Sequence, residues 1–139
     1  MLTMPQDRQS GLRASRFGKE CARRIADAIG AQMLGKKSNE CTWNGQRVVI
    51  HSAHRKTTSV GVLYHMTQRL NAVLGAFQDE NGAYRVMRLP IERCIPIMKA
   101  KPTQSHGASA GRVGKIPRQV FEEHGQLVKV VTIEEPPAD

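Results

Sequence analysis

The chain has 139 residues and a mass of 15.4 kDa, with 40% hydrophobic, 24% charged and 4% aromatic residues. That composition suits one globular domain with one modest core, and it is neither that of a disordered chain nor that of a membrane protein. Lys and Arg total 21 against 12 acidic residues, a net charge of +9 and a pI near 10, which favours a polyanionic partner, nucleic acid before an anionic membrane surface or an acidic protein.

No apolar run reaches the roughly 20 residues that cross a bilayer, and residues 1–8 lack an apolar signal core. Cys21, Cys41 and Cys94 are odd in number, far apart and without a C-x-x-C pair, which points to reduced thiols and a cytoplasmic protein. The charge is concentrated. Residues 1–37 are net +5, residues 93–121 carry Arg93, Lys99, Lys101, Arg112, Lys115 and Arg118 without one acid, and the last 18 residues are net −4.

Residues 1–11 read as a flexible tail, 12–133 as a single domain and 134–139 as an acidic tail. Over 14–29 the apolar set Phe17, Cys21, Ile25 and Ile29 recurs at helical spacing. Arg16, Lys19, Arg23, Arg24 and Asp27 lie on the other face, and Gly30 is a natural stop. Asn44-Gly45 is the strongest short hairpin signal, because both positions tolerate the positive φ of a type I′ turn. It joins a strand over 40–43 to one over 46–52, where Val48-Val49-Ile50 implies burial on both faces.

After a polar connection at 54–58, with Thr58 or Ser59 as its cap, Leu63, Met66, Leu70, Val73, Leu74 and Phe77 suggest a second amphipathic helix, ending at the turn 79–82. Residues 83–89 alternate as a strand, and 94–98 suggest a short edge strand because Pro96 removes a ladder donor. Residues 99–115 read as a loop, Pro117 opens a short helix closed by Gly125, and 127–133 form a last strand. The expected order is α-β-β-α-β-(β)-loop-α-β: an α/β (α+β) domain with a mixed central sheet flanked by helices.

Several chemistries are excluded. Gly107, Gly111 and Gly114 are not spaced as a dinucleotide fingerprint, Gly114-Lys115 is followed by Ile116 instead of a Ser or Thr, and neither G-x-S-x-G nor H-E-x-x-H occurs. His51 and His54, with Cys41 or His65, are spaced too generically to argue for zinc. The basic segment is better read as a strap over phosphates. Its small residues permit close backbone approach, its cations release counter-ions, and Gln104, Ser105, His106, Ser109 and Arg112 add donors. Aromatic platforms are few, which favours duplex over single strands.

A helix bearing Glu20, a hairpin bearing Glu40 on its first strand, and the buried strand Val48–His51 (V-V-I-H) together resemble the core of the restriction-endonuclease-like PD-(D/E)xK superfamily over about residues 14–90. The resemblance implies a Mg²⁺-dependent endonuclease, with Glu40 and Glu20 holding the metal and His51 or Lys56 acting near the attacking water, and cutting two strands with so small a domain needs two sites, hence an expected homodimer. The chain departs from the motif at Val49, where the family has an acid, and at His51, where it has lysine. A plainer reading pairs Glu20 with Arg23 or Arg24 and makes Glu40 an edge-strand charge. The functional expectation is thus a duplex-DNA-binding protein, either an endonuclease or a non-catalytic DNA-binding protein on that scaffold, with a basic protein-interaction adaptor as the third possibility. The expected DNA contacts are Arg16, Lys19, Arg23, Lys99, Lys101, His106, Arg112, Lys115 and Arg118.

Overall fold

The computed structural model describes residues 17–35, 38–100 and 112–134. Among these, three helices and eight strands form a mixed α+β domain. A helix over 17–29 (α1) leads to β1 (Gln32–Met33), β2 (Glu40–Trp43), β3 (Gln46–Ala53) and β4 (Ser59–Leu63). A 3₁₀ turn at Tyr64–Gln68 precedes β5 (Ala72–Gln78), β6 (Tyr84–Pro90) and α2 (Ile91–Ala100). Then follow β7 (Val113–Pro117), α3 (Arg118–His124) and β8 (Gln126–Val131).

Six strands make one sheet in the order β1-β2-β3-β5-β6-β8, parallel between β3 and β5 and antiparallel elsewhere, while β4 and β7 form a separate antiparallel pair. The hairpin forms as its turn dictates: Asn44 and Gly45 have φ of 50° and 73°, and Glu40 faces Val49 in register. Side chains alternate across β3 and so feed two cores. Val48 and Ile50 join Leu74, Tyr84 and Val86 beneath Ala22, Ile25 and Ala26 of α1. Val49 and Ala53 join Val73, Phe77 and Leu89 beneath Val60, Val62, Cys94, Met98, Ile116 and Phe121. The large sheet is therefore the middle of three layers, with α1 on one side and the β4–β7 pair, α2 and α3 on the other.

Three expectations are corrected. Residues 63–77 are not a helix: they comprise the end of β4, the 3₁₀ turn and most of β5, whose seven residues are all buried. A central strand covered on both faces has no alternation, so its apolar run mimics helical spacing. Residues 94–98 lie in α2, where Ile91, Cys94 and Met98 form the buried stripe and Pro96 sits exposed inside the helix. The expected loop 99–115 ends in a strand, since Val113–Lys115 belong to β7. The tail 1–11 and residues 135–139 of the acidic tail lie outside the described residues, whereas Glu134 is described and its carbonyl accepts from Arg24 of α1. No helix among the described residues is long and apolar enough to cross a membrane.

Candidate nucleic-acid interface

The hairpin places Glu40, Val49 and His51 on one face of the sheet, the face covered by β4, β7, α2 and α3. Glu40 keeps only 6% of its side chain exposed, and both its oxygens are occupied. Arg47 Nε donates to Oε2 at 2.7 Å. Arg69 donates through Nε to both oxygens, at 3.2 and 3.0 Å, and through Nη2 to Oε1 at 2.9 Å. The hydrogen bonds from Arg69, reinforced by Arg47, hold the Glu40 carboxyl below its ordinary range despite burial, which pushes the other way. Arg69, in turn, titrates above the usual arginine range because Glu40 accepts from it.

Glu20 lies in the opposite layer. It sits on α1 with its carboxylate beside Arg23 at 3.3 Å and Arg24 at 3.9 Å, the pairing that helical spacing offers. The sheet separates it from Glu40. His51 shares the face of Glu40, but its Nε2 is enclosed and has no hydrogen-bond partner among the described residues. Burial pushes the imidazole down to about 4, so it is neutral near pH 7. Lys56 is exposed in the turn after β3. Among the described residues no three His, Cys, Asp or Glu side chains gather as metal ligands. With Glu20 in another layer, both Glu40 oxygens taken by guanidinium groups and an apolar Val49, the residues assigned to Mg²⁺ by resemblance do not fit the ion.

The basic residues fall in two layers. Lys19 and Arg23 are exposed on α1, and Arg16 lies outside the described residues. Lys99, Arg112 and Lys115 are exposed on the other side, while Lys101 and His106 fall outside the described residues. Arg118 is engaged in the fold. It donates to the carbonyl of Gln78 at 3.2 Å, pairs with Glu122 at 3.2 Å and lies 5.2 Å from the centre of the Phe77 ring.

Tyr64 holds the two feet of the basic segment together. Its hydroxyl donates to the Met98 carbonyl at 2.6 Å, and its backbone N–H donates to the Arg112 carbonyl at 2.9 Å. Gly114 then packs against Met98 so closely that a Cβ there would lie 2.9 Å from the Met98 Cα. Tyr64 and the Met98–Gly114 contact thus join the end of α2, which carries Lys99, to the start of β7, preceded by Arg112; the sequence between them holds Lys101 and no acid.

Tyr64, Arg47 and Arg69 were not among the residues singled out from sequence. Arg47 was legible, since a two-residue turn at 44–45 sets it diagonally across from Glu40 on one face. Arg69 and Tyr64 were hidden by the helical reading of 63–77. No family model, curated protein or solved structure matches the chain.

Proposed function

We propose that this protein binds duplex DNA through the basic segment between α2 and β7, and that it acts by binding and not by cleavage. The observation that carries the reading is the clamp of Tyr64 on both feet of that segment. Within the 29-residue acid-free stretch 93–121, it ties Met98 and Arg112 to the turn between β4 and β5 before a ligand arrives, which lowers the entropic cost of binding. Lys99, Arg112 and Lys115 neutralise backbone phosphates, and released counter-ions drive association.

The test is a titration of supercoiled plasmid and a short duplex in EDTA, Mg²⁺ or Mn²⁺, beside a Lys99→Gln, Arg112→Gln, Lys115→Gln triple variant. The expected result is retardation without nicking. The slope of log affinity against log salt should be shallower by about 2.7 in the variant, ~0.9 per phosphate contact. Unshifted DNA at low salt would overturn the DNA reading and favour a protein-interaction adaptor. Nicking that requires both metal and Glu40 would overturn the binding-only reading and restore the nuclease.

A further inference from the structure

Glu40 is the acid that the family resemblance assigns to metal, yet it is spent on two arginines. We infer that the Arg47–Glu40–Arg69 cluster is a preorganised phosphate site, in which the carboxylate is a positioning residue and the guanidinium groups receive a phosphodiester oxygen pair. This deepens the DNA-binding reading and rests on it for the identity of the ligand.

Three observations support it. First, one carboxylate faces two cations, so the cluster keeps a net charge of +1. The carboxylate is buried while the Arg47 and Arg69 side chains stay 48% and 42% exposed. The charge in excess is therefore the charge that solvent, or a ligand, can reach. Second, the donors are unspent. Each guanidinium carries five N–H groups, and Glu40 takes only Nε of Arg47 and Nε and Nη2 of Arg69. Neither Nη of Arg47 nor Nη1 of Arg69 has a protein partner among the described residues. A fork of outward N–H groups matches a phosphate's paired oxygens better than a lysine would.

Third, the backbones beneath are fixed. Arg47 N–H donates to Asn71 Oδ1 at 2.8 Å, and Asn71 N–H returns to the Arg47 carbonyl at 2.7 Å. Arg69 N–H closes the 3₁₀ turn on the Met66 carbonyl at 3.1 Å. That turn begins at Tyr64, the clamp of the basic segment. Arg69 is the C-cap of that turn, five positions after Tyr64.

A metal-free measurement separates this inference from the function it rests on. The protein is labelled with ¹⁵N, and its arginine Nε–H signals are followed during titration with inorganic phosphate, dimethyl phosphate and a short duplex. In parallel, duplex affinity against salt is measured for wild type, an Arg47→Gln, Arg69→Gln double variant and an Arg47→Lys, Arg69→Lys double variant that preserves the charge facing Glu40. The expected result is that the Arg47 and Arg69 signals move with phosphate and duplex alike. The Gln variant should lose about two units of salt slope. The Lys variant should keep its slope, yet bind severalfold more weakly because it lacks the fork.

If the duplex binds with wild-type slope in all variants and both arginine signals stay still, the phosphate site is overturned while DNA binding stands. If phosphate moves both signals but no duplex binds, the site stands and the DNA reading fails. Should the Gln variant unfold, the folded Lys variant and the wild-type signals still decide.

Discussion

Changing His51 to leucine should leave the protein folded and make it resist acid better than wild type. The enclosed Nε2 has no partner among the described residues, and an unsatisfied buried polar atom costs about 1–3 kcal/mol. Burial alone is the cause that lowers the imidazole from 6.5 to about 4. Between those values the unfolded chain binds a proton that the folded chain refuses, so stability falls as pH falls through that window. By pH 4.5 the loss is on the order of 2–3 kcal/mol for a group lowered from 6.5 to about 4 by burial.

Glu40 acts lower on the scale. Its depressed carboxyl stabilises the fold above the unfolded value of 4.5, and that contribution disappears as pH falls through its folded value. The histidine window therefore opens about two pH units above the carboxylate window, and most of it is crossed before Glu40 takes up a proton. Urea unfolding of wild type and His51→Leu at pH 7, 6, 5 and 4.5 tests the difference. The gap between them should widen on acidification by roughly 2–3 kcal/mol, on the order of 1–2 M in midpoint for an ordinary slope. Parallel curves would mean that protons reach the ring freely, and would return His51 to the list of groups able to act on a substrate.

Two further outcomes concern the clamp. Gly114→Ala should destabilise the fold by about 1–3 kcal/mol in thermal melts, because the new methyl group meets the Met98 backbone; an unchanged melting temperature would show that α2 and β7 separate easily. Tyr64→Phe removes the hydroxyl bond to Met98 and should cost about 1 kcal/mol. Duplex affinity should fall several-fold in this variant, and wild-type affinity would show that the anchoring of the basic segment contributes nothing to binding.

The elements readable from sequence were those whose chemistry is local. Asn44-Gly45 specifies a turn with two positive φ angles, and the strands on either side follow in register. Pro117 and Gly125 bracket α3 as a non-helical start and stop. Val48-Val49-Ile50 is buried on both faces, as a continuous branched run implies. What escaped was decided by distant partners. β5 is an ordinary apolar run until it is known that α1 covers one face and Phe121 the other. Gly75 within it is required by close packing, since a Cβ there would come within 2.6 Å of the Phe77 ring. In α2 the proline suggested an edge strand, yet Ile91, Cys94 and Met98 already carried the spacing of a helix. Glu40 stood out as an acid beside a hairpin, but its role depends on Arg69, 29 residues away across the misread crossover.

The pairing of β4 with β7 also sets an order of events during synthesis. Fifty positions separate Leu63 from its partner Val113, so at ~5–20 residues per second the ribosome needs about 3–10 s to deliver the second strand after the first. In that interval the α1 side of the sheet can close around Ile25, Val48, Leu74 and Tyr84. The opposite side stays open, with Val60 and Val62 on a strand that has no neighbour. A nascent or truncated chain ending before residue 113 would expose an unpaired strand beside an apolar face, the combination that recruits other chains. The segment that closes this face also carries Lys115, so the core and the basic surface are completed in the same step.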